Sequence, residues 1–200
     1  MKQKFNVNHI PALKQEILDL PEKEKNQLLI RLINKDQVLI EQLLFRLLED
    51  EFDLNKRFED LKTEIESTLN DNYKAIMNVK FNDKGRMYLR LIRGLSSKIN
   101  HFAKVTKDVN GELRLRTFLL IESTKKYNQL QKEDTVIGYK TRLYQVSKIK
   151  TMISLFGKLH EDLKYDYSSE FYEILEEIIV NNLGTEINQS KLKYQILSND

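Results

Sequence analysis

His160, Glu161, Asp162 and Asp166 crowd into seven positions near the C-terminal end of the chain, the densest mixture of imidazole and carboxylates in it. Such residues at close spacing can hold a divalent cation or exchange a proton. On an unbroken helix, positions 162 and 166 share a face, while position 160 points about 160° away from 162. The set therefore converges only where the helix breaks. No H-E-x-x-H is present, and His9 and His101 lie far off in sequence. The spacing favours a structural corner in which Tyr165 and Tyr167 pack and the acids bond backbone amides or nearby Lys.

Other chemistries lack their parts. The 200 residues include no Cys, which removes disulfides, thiolate metal sites and cysteine nucleophiles. The six Gly form neither G-x-G-x-x-G nor a P-loop. The acidic run Glu49 to Asp53 lacks the alternating ligands and turn Gly of a calcium loop. Ser123, Ser147 and Ser154 have no neighbouring base. The sequence thus leads us to expect no catalytic residues, no metal and no cofactor, and so not an enzyme.

The strongest chemical pattern is basic. Residues 80–158 carry 18 Lys and Arg against 6 Asp and Glu, a local charge of +12 in a chain whose net charge is +3. Residues 1–79 and 159–200 are acidic, at −3 and −6. Within the basic middle, Arg86, Arg90, Arg93, Ser97, His101 and Lys104 recur at helical spacing and form one stripe. Such a stripe can track the phosphates of a nucleic acid or another polyanion. Lys140, Lys148, Lys150 and Lys158, with Arg114, Arg116, Lys125 and Lys126, would widen it, and Tyr88, Tyr127 and Tyr144 are candidates for stacking. Glu170, Glu173, Glu176 and Glu177 would instead neutralise the stripe if their helix docked on it.

The elements that must position these residues read as helices throughout. Only two Pro and six Gly punctuate the chain, too few for a β-sandwich or barrel. Apolar residues at spacings of three and four mark short helices over Ile10 to Leu20, from Pro21 to about Ile33, and over Gln37 to Glu49, with Val38, Leu39, Leu43, Leu44, Leu47 and Leu48 inward. Longer helices follow: one capped by Asp53 and ended or kinked at Asn70 to Asn72, one at Gly85 to Lys107 capped by Asp83, and one from Leu113 to Leu130 after an Asn110-Gly111 turn. Thr135 to Leu163 is expected to be the longest, with Tyr139 on its inward face. Ser168 is expected to cap a last firm helix, Ser169 to Asn182. The run Phe118 to Ile121, apolar on most sides, belongs near the centre.

The expected fold is all-α, an antiparallel bundle of about eight helices with a short-helix N-terminal module at 1–52 and a long-helix bundle at 53–200. A HEAT-like α-solenoid is the runner-up. No segment reads as a secretory signal or a membrane span, so a cytoplasmic location is expected.

Ala12-Leu13-Lys14-Gln15-Glu16-Ile17 and Leu159-His160-Glu161-Asp162-Leu163-Lys164-Tyr165-Asp166-Tyr167 resemble segments of a family of uncharacterised bacterial all-helical proteins of similar length. The resemblance covers about residues 10–170 and implies the helical fold. It implies no activity, and a deacetylase label has no residues here to carry it. The expected function is therefore a helical protein-interaction or scaffold module that binds a protein partner or itself. The alternative is polyanion binding through Arg86, Arg90, Arg93, His101 and Lys104.

Overall fold

A computed structural model describes residues 6–130, 136–178 and 183–189. Every regular element among them is helical: a single 3-10 turn at Val7–His9, then α1 (Pro11–Asp19), α2 (Glu22–Ile33), α3 (Gln37–Leu48), α4 (Glu51–Met77), α5 (Phe81–Thr106), α6 (Val109–Leu130), α7 (Val136–Phe156), α8 (Glu161–Ile178) and α9 (Gly184–Gln189). The chain divides into two compact units, Met1–Leu48 and Glu49–Asp200. Among the described residues no helix is long and apolar enough to cross a membrane. The expected end of the last helix at Asn182, the start of the preceding one at Thr135 and the tail beyond Gln189 fall outside the described residues.

In the first unit, proline and aspartate set the helix starts. Pro11 opens α1, where its missing amide costs nothing. The Pro21 carbonyl accepts from the amides of Glu24 and Lys25 at the start of α2, and Lys25 Nζ donates back to the Leu18 carbonyl at 2.9 Å. Asp36 caps α3, its Oδ1 accepting from Val38 N at 3.0 Å and Leu39 N at 3.2 Å. None of the described residues of this unit is buried. The inward placement expected of Leu44, Leu47 and Leu48 is corrected: Leu47 is 69% exposed and Leu48 78%. Apolar side chains on α3 cover most of its circumference, more than the neighbouring α2 can shield.

The second unit starts at a strong cap. Asp50 Oδ1 accepts from Phe52 N at 2.8 Å and Asp53 N at 3.1 Å, while Asp53 Oδ2 accepts from Asp50 N, closing a capping box. The cap is thus Asp50, and Asp53 is its reciprocal partner. The polar run Asn70 to Asn72 neither ends nor breaks α4. Asn72 Nδ2 donates to the Thr68 carbonyl at 2.8 Å, inside the helix. At 27 residues, about 40 Å, α4 is longer than the 21-residue α7. Asp83 lies within the first turn of α5, and Lys80 occupies the cap position without a side-chain bond.

Between α5 and α6 the turn is tighter than the sequence suggests. Lys107 takes φ 59°, and Asp108 caps α6 by accepting from Gly111 N at 3.0 Å. Asn110 and Gly111 are therefore the first helical turn and not the connection. A Cβ at Gly111 would overlap the Asp108 carboxylate that caps the helix, so a larger residue there requires the capping side chain to shift.

Helix α6 is the centre, packing on α4, α5, α7 and α8. Its two faces feed two clusters. Ile65, Tyr88, Ile92, Ile99 and Leu115 form one, and Leu120, Ile149, Met152, Phe171 and Leu175 the other. A helix touching four others, with α4 also meeting α6 and α5 meeting α7, is bundle geometry; in a solenoid each unit meets only its sequence neighbours.

The expected long helix over Thr135 to Leu163 stops at Phe156. There Lys158 N bonds the Leu155 carbonyl and Leu159 N the Phe156 carbonyl, which tightens the last turn. The break lets the Phe156 ring stack on Phe171 of α8 at 4.7 Å. Ser168 consequently lies inside α8, bonding the Tyr165 carbonyl rather than capping. Tyr139, expected inward, is exposed at the outer end of α7. Arg142 on α7 pairs with Glu186 of α9 at 2.6 Å.

Candidate functional site

Helix α5 buries Tyr88, Ile92, Leu95, Ile99 and Phe102 against its neighbours, so the 3.6-residue repeat leaves Arg86, Arg90, Arg93, Ser97, His101 and Lys104 on its exposed side. The stripe exists as an exposed face. Arg86 faces Asp83 at 3.6 Å, an exposed pair one turn apart that contributes little. Arg90 has no ion pair among the described residues and borders a groove between α4 and α5 with Lys98. Lys98 is itself paired with Glu64 of α4. His101 lines the continuation of that groove.

The wider basic patch does not assemble as one surface. Arg114 lies over the Phe58 ring at 4.4 Å and Lys126 over Tyr73 at 5.0 Å, both toward α4, while Lys62 of α4 lies over Phe118 at 5.7 Å. These three cations close the α4–α6 seam. Lys125 pairs with Glu122 at 3.2 Å. Arg116 is only 7% exposed, bonded through Nε to Glu112 at 2.9 Å and through Nη2 to Asn100 at 2.7 Å. Lys140, Lys150 and Lys158 remain on exposed positions of α7 and the turn after it.

Of the three tyrosines, two are unavailable for stacking on a ligand. Tyr88 is fully buried, donates its hydroxyl to the Ser123 carbonyl and stacks on buried Tyr127 at 5.9 Å. Burial pushes the Tyr88 phenol far above its ordinary range. Tyr144 is half-buried, donates to Ser96 Oγ at 2.7 Å, and carries Arg93 and Lys148 over its ring at 5.4 and 4.8 Å. Burial raises the Tyr144 phenol. Lys148 is lowered from the usual lysine range, first by burial and then by the Arg116 and Arg93 charges. Sequence reasoning placed Lys148 in the basic patch but could not show its convergence with Arg93, because the two lie 55 positions apart on different helices.

The acidic helix does not neutralise the α5 face in the way the charge pattern allowed. Helix α8 turns Phe171, Leu175 and Ile178 into the core. Glu176 and Glu177 are exposed, and the Glu173 carboxylate accepts from Ser169 Oγ at 3.2 Å. Among the described residues no ion pair joins these three to Arg86, Arg90 or Arg93. The Glu170 side chain lies outside the described residues.

The His160 segment breaks as its geometry requires for convergence. His160 precedes α8 and its Nδ1 lies 3.1 Å from Asp162 Oδ2, with both side chains largely solvated. Glu161 pairs with Lys164 at 2.7 Å, and that bond holds the Glu161 carboxyl below its usual range. Among the described residues no three His, Asp or Glu side chains gather as a metal site.

No protein-family model matches this chain, and neither a curated protein nor a solved structure is significantly similar to it.

Proposed function

We propose that this chain is a self-associating helical interaction module, working by binding rather than catalysis, and that α3 of the first unit is its contact surface. The observation behind the reading is the exposed apolar side of that helix. Leu44, Leu47 and Leu48 stand in solvent, and on α2 so do Leu29, Ile30 and Leu32. Clustered exposure of large aliphatics is characteristic of interaction surfaces. Burying the exposed part of each leucine contributes on the order of 1 kcal/mol.

A second copy of the chain is the partner that α3 fits. Ile40, Leu44 and Leu47 repeat at four and three, the spacing of a coiled-coil seam. In a two-fold pair the same apolar seam faces itself, so one surface supplies both sides of the contact. Light scattering across a concentration series tests this. A dimer abolished by Leu44→Asp with Leu47→Asp is expected, and a wild-type monomer throughout overturns it.

A second reading has its own observation, the solvent-facing Arg90 and the basic side of α5 around it. There the chain would bind a nucleic acid or similar polyanion with Arg86, Arg90, Arg93, His101 and Lys104 along the phosphates. Fluorescence polarisation with labelled duplex and single-stranded oligonucleotides reads it out. The expected affinity falls with log salt at about −0.9 per duplex phosphate contacted, and weakens on Arg90→Glu. Salt-independent or absent binding overturns it.

A further inference from the structure

Three cations of the second unit come together around one aromatic ring with a single carboxylate among them. Arg93 and Lys148 both lie over Tyr144, and neither has an acidic partner among the described residues. Arg116, behind them, spends its charge on Glu112. The packing of α5 against α7 creates this arrangement and carries Arg93 and Lys148 to the same seam. Partly desolvated like charges raise one another's energy. The folded chain therefore holds two cations on one aromatic ring with no carboxylate beside them among the described residues.

A small cavity opens beside Lys148 and Tyr144. It measures about 20 Å³ and is lined by Arg116, Ser123, Tyr144, Gln145 and Lys148, enough for one water. Gln145 is only 2% exposed, its Nε2 donates to Thr124 Oγ1 at 3.0 Å, and its Oε1 has no partner. A buried acceptor left unbonded costs about 1–3 kcal/mol, so it calls for a donor at this spot.

We propose that Arg93 and Lys148, gathered on the Tyr144 ring at the seam of α5 and α7, form a binding site for a phosphate group. The two cations supply charge-assisted donors to the phosphate oxygens. The Tyr144 ring fixes their stems, so little side-chain entropy is lost on binding. A single water in the cavity donates one hydrogen to Gln145 Oε1 and the other to the phosphate. The lowered basicity of Lys148 agrees with a group held ready near uncompensated charge, and bound phosphate reverses that shift. The phosphate belongs either to a free phosphate compound or to a nucleic-acid strand. The strand version rests on the polyanion reading of α5 given above; the free-phosphate version does not.

The test titrates inorganic phosphate into the full chain by calorimetry at fixed ionic strength, then repeats the titration with a single-stranded oligonucleotide. Wild type is expected to bind phosphate. Lys148→Gln and Arg93→Gln should each weaken binding about tenfold, the value of one charged hydrogen bond, and Lys148→Arg should retain most of it. Arg90→Glu should leave phosphate affinity within about twofold while weakening the oligonucleotide, a separation expected of distinct charge contacts. Phosphate binding without oligonucleotide binding supports the site and removes the strand version. No phosphate binding by the folded wild type, or binding of either ligand that ignores Lys148→Gln, overturns the proposal. Unfolding curves of each variant show that a loss is not a failure to fold.

Discussion

The two units use leucine and isoleucine in opposite ways. In the second, Ile65, Ile99, Leu115, Ile149 and Leu175 are sealed between long helices. In the first, helices of 9, 12 and 12 residues carry a comparable density of aliphatics and bury none of the described ones. Length is the physical difference. Helices of 18 to 27 residues present about five to seven turns to their neighbours, and four of them around α6 close the core. Three short helices have too little mutual surface, and the apolar excess on α3 faces water. Apolar surface is sealed inside the second unit and stands in solvent on the first.

The sharpest way to break this contrast is to remove the same kind of side chain from each. Ile149→Ala should cost about 2–4 kcal/mol in urea unfolding, by leaving a cavity between α6, α7 and α8. Leu47→Ala, measured at concentrations where the chain is monomeric, should stay within about 0.5 kcal/mol of wild type, since that side chain is already solvated. Equal effects would mean that the first unit has a core of its own.

Gly111→Ala comes next. The added methyl displaces the Asp108 carboxylate from the start of α6, and a loss of about 1–3 kcal/mol is expected, seen as a lower urea midpoint. Asp50→Ala removes half of the capping box on α4 and should cost about 1 kcal/mol by the same measurement.

Smallest is the effect at Lys148, and its sign is the informative part. Its folded-state basicity is depressed, so the unfolded chain binds that proton more tightly. The penalty is present at neutral pH and is relieved as pH rises through the folded midpoint toward the unfolded value of about 10.4. Lys148→Met should therefore match or slightly exceed wild-type stability at pH 7, by less than about 1 kcal/mol after solvent screening. That margin should shrink in alkaline thermal melts. If that removal also weakens phosphate binding, Lys148 is held in place for the proposed site and not for packing.

The helical class was legible because periodicity survives without tertiary information. The spacing of Arg86, Arg90 and Arg93 placed them on one stripe of α5, and they lie exposed there. Boundaries were less legible where a side chain competes with the helix. Asp108 caps α6 ahead of the expected Asn110-Gly111 turn, and the stack of Phe156 on Phe171 depends on a break after Phe156 that local preference alone does not place. Burial in the first unit was misread because an amphipathic pattern reports which face is apolar and not whether anything covers it. The Arg93–Tyr144–Lys148 cluster was invisible for a related reason: its members lie on two helices, and only the packing of α5 against α7 brings them together.

Light scattering on the purified full chain tests the self-association of the first unit most directly. At micromolar concentration the account predicts a mass of twice 23.8 kDa, returning to one chain for the double substitution Leu44→Asp and Leu47→Asp with its helical signal intact. A wild-type protein that stays at the mass of one chain across the whole concentration series would contradict it.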